Sequence, residues 1–185
     1  MTEEEQYMYE HENFFLKVLY DILEILLPAL VFVALLFTFF LRTAQVDGRS
    51  MLDTLQDEDR LVVVNCLFEP SYEDIVIVNR SQAGECAVIE PLIKRVIGLP
   101  GDTIRVTSDT VYRNDKPLDQ PYIHYPNMPE GMTVVVPEGQ VFVMGDHRDN
   151  SNDSRSLGCF DYEDIIGKAV YRFFPNRGSV YSNLK

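Results

Sequence analysis

Between Ile25 and Leu41 the chain reads ILLPALVFVALLFTFFL, a run without a single charge. It approaches the ~20 apolar residues that a bilayer-spanning helix requires. A chain of 185 residues has too little other sequence to wrap such a helix in a soluble core. The stretch from Phe14 to Leu27 is mostly apolar but carries Lys17, Asp21 and Glu24. It extends the helix toward the interface, with those charges held near the headgroups and Pro28 near the membrane boundary. A cleaved secretory signal would open with a basic segment and close on small residues. Here Met1 to Glu12 is acidic, and Phe39, Phe40, Leu41 and Arg42 end the run. The expectation is a retained anchor at 25–41, preceded by a tail and the interfacial start of the helix at 1–24. Basic residues near the ends are Lys17 on one side and Arg42 and Arg49 on the other. That balance alone points slightly toward a cytoplasmic position for the chain beyond Leu41.

After Gln45 the composition changes to short β-rich runs separated by turn residues: Leu61 to Val64, Ile75 to Val78, Thr103 to Thr107, Thr110 to Arg113, Thr133 to Val136, Val141 to Met144 and Lys168 to Phe174. This pattern predicts one mainly β domain over 42–185. Ser108-Asp109 reads as a hairpin turn, and Asn114 to Pro117 as the next reversal. An irregular excursion covers about 114–133, where Asp119 to Met132 is rich in proline. Asp and Glu number 29 against 16 Lys and Arg, which gives no electrostatic footing for gripping phosphate backbones; nucleic acid is excluded as a partner. Cys66, Cys86 and Cys159 are too few for a disulfide scaffold and show no C-x-x-C spacing. They read as small buried residues, with a Cys66–Cys86 bridge left open. His11 and His124 are too scattered for a metal site, so neither metal nor cofactor is expected.

Three segments carry candidate chemistry. The first, DGRSMLDTL from Asp47 to Leu55, places a hydroxyl just past the apolar run, although a serine after glycine is more often a turn residue. The second, AVIEPLIKRVIGLPGD, sets Lys94 beside or within an apolar strand. Burial lowers a lysine's pKa, and a neutral amine accepts a proton from serine; an edge-strand lysine reaching water is the plainer alternative. The third, MGDHRDNSNDSRSLG from Met144 to Gly158, is a polar loop entered from an apolar segment and suits a hydrogen-bonded network that fixes its neighbours.

In this order behind an N-terminal anchor, the segments resemble bacterial type I signal peptidases of the Ser-Lys class, in a short form like that of Gram-positive bacteria. The resemblance runs from about Leu35 onward. It rests on Ser50-Met51 with Thr54-Leu55, on Lys94 to Gly98 with Pro100-Gly101-Asp102, and on Gly145-Asp146 followed by Arg148, Ser151, Asp153, Ser154 and Arg155. It implies an antiparallel β-sheet catalytic domain of the signal-peptidase/LexA kind with one transmembrane helix. It also implies a serine endopeptidase that removes N-terminal signal peptides from exported preproteins after Ala-x-Ala. Ser50 would be the nucleophile, Lys94 the general base and the Ser50 backbone N–H the oxyanion donor, since Gly48 stands where some relatives have a serine. Ser151 would orient the lysine, Asp153 and Arg155 would form an ion pair that shapes the site, and Asp146 and Arg148 would support it. Val46, Met51, Leu55 and Ile93 would line shallow pockets for small side chains, with substrate pairing to a strand edge such as that preceding Lys94. The implied partners are preproteins emerging from the translocase and membrane lipid, with the N-terminus cytoplasmic and the catalytic domain extracytoplasmic, against the slight bias of the basic residues.

Two positions depart from the family pattern: Asp53 stands where the first box usually has proline, and His147 where the last usually has asparagine. A structural role is expected for His147, because Lys94 already serves as base. The pair Ser182 and Lys185 also spells S-x-x-K and reads as coincidence. A self-cleaving LexA-type repressor would need a DNA-binding helix-turn-helix where this chain has its apolar run. A noncatalytic pilus-assembly relative would have lost the dyad, whereas a dedicated pilin-processing role stays open through Asp53.

Overall fold

The computed structural model describes residues 3–65, 68–79, 91–123, 128 and 131–173. Cys66, Cys86, His124, Phe174 and the Ser182–Lys185 pair lie outside the described residues. The chain divides into Met1–Phe40 and Leu41–Lys185.

The first unit contains one helix, α1 (Glu3–Phe40), which continues through Pro28. Within it Leu16–Leu35 has a mean hydropathy of 2.3, with none of that window buried in protein. This stretch is long and apolar enough to cross a bilayer. The helix begins well before Ile25, because the acidic and apolar residues upstream are themselves acceptable helix formers. It stops one residue before Leu41, which starts a strand instead.

The second unit is mainly antiparallel β. Its strands are β1 (Leu41–Gln45), β2 (Arg60–Val64), β3 (Ile75–Val78), β4 (Leu92–Gly98), β5 (Thr103–Val106), β6 (Val111–Arg113), β7 (Lys116–Pro117), β8 (Met132–Val135), β9 (Gln140–Met144), β10 (Phe160–Asp161) and β11 (Ile165–Phe173). A four-residue helix, α2 (Ser154–Leu157), comes after β9. A seven-stranded sheet runs β1-β2-β11-β3-β4-β9-β10, and a four-stranded sheet runs β7-β6-β5-β8. The Ser108-Asp109 reversal joins β5 to β6. Asn114 and Asp115, both at positive φ, turn β6 into β7, as a two-residue hairpin loop of primed type demands.

Every residue of β3 is buried, so this central strand packs on both faces and shows no polar alternation. Ile75 and Ile77 join one apolar cluster with Val46, Met51, Leu55 and Ile93. Val76 and Val78 join another with Val96, Val141 and Val143. A third cluster, including Ile97, Ile104, Val106, Val136 and Phe142, unites the two sheets. Cys159 is a half-buried free thiol packed against it, its pKa raised by burial.

Candidate active site

Ser50 sits in the turn after β1. Val46 N–H donates to Asp59 O at 2.8 Å and Glu58 N–H to Val46 O at 2.9 Å, closing the base of the 46–59 loop. Met51 and Leu55, 1% and 0% exposed, plug it into the core, and Leu55 N–H donates to Met51 O at 2.8 Å. From β11, Arg172 Nη1 reaches Thr54 O at 3.1 Å and Asp59 Oδ2 at 3.3 Å. Gly48 has φ +85°, a left-handed conformation that glycine adopts without steric cost. Its N–H donates to Asp57 Oδ1 at 2.8 Å. The serine is therefore carried on a loop anchored on both sides by buried apolar residues.

Lys94 lies in β4 and is 2% exposed. Its Nζ donates to Ser50 Oγ at 2.7 Å and to Ile93 O at 3.1 Å. Burial is the main influence on this amine and lowers its pKa from 10.5 to about 8. The Asp153 and Asp146 carboxylates pull it upward, and the Arg155 guanidinium lowers it. The two side chains that the sequence singles out, 44 residues apart, are thus in direct contact.

The loop after β9 encloses them. Gly145 has no room for a side chain: an added Cβ would lie 2.5 Å from Ser50 O and would collide with Ser151 Oγ. Gly145 N–H donates to Asp153 Oδ2 at 2.9 Å. Asp153 also caps α2 and takes Arg155 Nε and Nη2, each at 2.8 Å. Burial pushes the Asp153 carboxyl upward, but these cationic bonds outweigh it and hold its pKa below the ordinary value. Ser151 Oγ faces this carboxylate and helps to lower its pKa, yet it is buried without a hydrogen bond of good geometry. Lys94 Nζ donates to Ser50 Oγ and Ile93 O instead.

A second ion pair is buried behind the first. Arg95 Nε and Nη2 grip Asp146 Oδ1 and Oδ2 at 2.9 and 2.6 Å, the bidentate geometry that makes guanidinium–carboxylate pairs strong. Thr54 Oγ1 donates to the same carboxylate at 2.6 Å, Arg95 Nη1 donates to Glu73 O at 3.0 Å, and the guanidinium stacks 4.0 Å over Tyr122. Burial opposes the Arg95 charge, but the Asp146 bond raises its pKa overall. Arg148 is 2% exposed. It donates to Gly145 O at 3.0 Å and Gln120 Oε1 at 2.8 Å, and burial lowers its pKa to about 10.

A cleft of about 280 Å³ opens beside the Ser50–Lys94 contact. Val46, Met51 and Ile93 line it with Gln45, Asp47, Pro91 and Leu92. Leu55, expected among the lining residues, is fully buried in the core beneath. Strand β4 pairs with β3 from Leu92 onward, whereas its pairing with β9 begins only at Arg95. One edge of Leu92–Lys94 is thus unpaired by any strand among the described residues at the cleft.

Sequence reasoning named Arg95 and Thr54 only as parts of motifs and assigned them no role. The structure joins both to Asp146. The available signal was a second basic residue inside an otherwise apolar strand, since a buried arginine requires a carboxylate partner.

A hydroxyl in contact with a buried, pKa-depressed amine at the wall of a β-lined cleft can supply a nucleophile and a base. The sequence of residues 19–174 matches the family described as signal peptidase, peptidase S26. The chain is 41% identical over 157 residues to a probable signal peptidase I-1 of Synechocystis sp., covering 82% of this chain and 80% of that protein. It is 40% identical over 160 residues to signal peptidase I T of Bacillus subtilis, covering 78% and 80%. Against signal peptidase I of Bacillus licheniformis the identity is 34% over 175 residues, covering 85% and 89%. A crystal structure of a signal peptidase I from Enterococcus faecalis is 29% identical and covers 56% of this chain and 98% of its own, with a TM-score of 0.47. The chain belongs to the peptidase S26 family of signal peptidases.

Proposed function

We propose that the chain is a membrane-anchored serine endopeptidase that removes N-terminal signal peptides from exported preproteins by a Ser50–Lys94 dyad. The observation that carries this reading is the 2.7 Å contact between Ser50 Oγ and the buried Lys94 Nζ. Neutral Lys94 takes the Ser50 proton as Oγ bonds to the scissile carbonyl carbon. The resulting ammonium gives that proton to the leaving amine as the C–N bond breaks. Water then hydrolyses the acyl ester, again with Lys94 as proton acceptor, and Ser50 is regenerated. The Ser50 N–H makes no hydrogen bond to another described residue, so it is available to stabilise the oxyanion. Asp153 and Arg155, with Asp146 and Arg148 behind them, hold the loop against the dyad. Ser151, whose buried Oγ makes no hydrogen bond of good geometry, orients the amine.

Substrate lies extended along the unpaired edge of Leu92–Lys94, adding main-chain bonds as a strand does. A small cleft walled by Val46, Met51 and Ile93 admits alanine-sized side chains and excludes larger ones by overlap, which favours Ala-x-Ala boundaries. The helix α1 is the anchor, with the short acidic N-terminus cytoplasmic and the β domain outside, where preproteins emerge from the translocase. The test is cleavage of a purified preprotein by the full chain in detergent, beside Ser50→Ala and Lys94→Ala, with the new N-terminus sequenced. Cutting after Ala-x-Ala that needs both side chains supports the reading. Failure of the folded wild type on varied preproteins points to a restricted client list or an assembly role.

A further inference from the structure

His147 touches the Ser50 turn at two points that the reaction above does not use. Its backbone N–H donates to Ser50 O at 3.0 Å, and its ring Nδ1 lies 3.1 Å from Arg49 O. A carbonyl oxygen only accepts, so Nδ1 carries a proton in this contact. The other ring nitrogen, Nε2, lies 2.7 Å from Asp149 Oδ1, and the imidazole is only 14% exposed. A carboxylate also only accepts, so the two contacts together need a proton on both nitrogens: the protonated ring donates to Asp149 on one side and to the backbone of the nucleophile's turn on the other.

Arg49 O and the Ser50 N–H belong to one planar peptide group, in which the C=O and N–H vectors point in opposite directions. Holding the oxygen holds the direction of the N–H. Leu52 N–H also reaches Arg49 O, at 3.2 Å, from within the turn; His147 adds the restraint that comes from the β9 loop. We propose that His147 is a positioning residue: by donating from Nδ1 to Arg49 O it aims the Ser50 amide into the oxyanion site. This rests on the reading of Ser50 as nucleophile and its amide as oxyanion donor. A misaimed donor loses strength at the oxyanion, where charge develops only during reaction. Its loss lowers kcat and leaves KM unchanged.

The experiment measures kcat and KM for preprotein cleavage by the full chain in detergent, with thermal unfolding recorded for each variant. His147→Ala and His147→Phe remove the donor, the latter keeping a planar ring. His147→Asn supplies a side-chain N–H at a similar reach, and Ser50→Ala and Lys94→Ala serve as controls. The expected result is a roughly tenfold fall in kcat for Ala and Phe, matching the loss of one hydrogen bond, with KM unchanged and most of the rate restored in Asn. Full kcat in both Ala and Phe, with the controls inactive, overturns the inference and leaves the dyad standing. A loss that appears in KM, tracks unfolding or is equal in Asn also overturns it, because a purely structural residue would behave so. Activity in Ser50→Ala overturns the nucleophile reading itself, and this inference with it.

Discussion

Lys94→Met keeps an unbranched side chain one atom shorter and removes its charge, so it separates what the buried amine costs in stability from what it does in chemistry. The drop from 10.5 to about 8 is ~2.5 pKa units, or ~3 kcal/mol at 1.36 kcal/mol per unit. The folded pKa lies below the unfolded one. Below pH 8 both states are protonated and the folded state carries the whole desolvation penalty; between 8 and 10.5 the penalty fades, and above that it is gone. Methionine avoids the penalty at every pH but leaves Ile93 O and Ser50 Oγ without the amine they contact, a loss of ~1 kcal/mol. The variant is therefore expected to be inactive and ~2 kcal/mol more stable than wild type at pH 6, and equal or ~1 kcal/mol less stable above pH 10.5. Urea unfolding of the full chain in detergent, followed by the near-ultraviolet circular dichroism of its tyrosines, measures the difference. A difference that does not change with pH, or a Met variant less stable at pH 6, would refute the desolvated-amine argument.

Two further perturbations probe the surroundings of the dyad. Asp146→Asn leaves the Arg95 guanidinium, 1% exposed, as an uncompensated buried charge; the expected loss is ~3 kcal/mol of unfolding free energy, at the low end for breaking such pairs because Glu73 O and Tyr122 remain. Gly145→Ala drives a methyl into Ser50 O, so ~1–3 kcal/mol of destabilisation is expected in urea. Its loss of preprotein cleavage should exceed what that instability explains.

The strands with clear alternation or a bounded apolar run were legible, as were both hairpin reversals, because each obeys a local rule. Strand β1 was not. Leu41 continues an apolar run, and Arg42 to Gln45 show no pattern; their strand conformation comes from pairing with Val64 to Arg60, a tertiary cause. The helix was expected to extend upstream of Ile25, and α1 runs from Glu3, since helix formation does not stop where charges begin. In the candidate site, Ser50 and Lys94 were singled out through family motifs, but their contact joins positions 44 residues apart and arises from sheet topology. The Arg95–Asp146 pair spans 51 residues and was illegible for the same reason. Leu55 was expected at the cleft; it packs in the core cluster with Val46, Met51 and Ile93.

The central claim is that a neutral Lys94 removes the Ser50 proton, and the pH dependence of kcat/KM for preprotein cleavage tests it most directly. With the amine titrating near 8, the rate should rise tenfold per pH unit on the acid side and level off above about pH 8, and Lys94→Ala should show no such limb. A rate that is flat from pH 6 to 10, or a limb that survives in Lys94→Ala, would contradict the account.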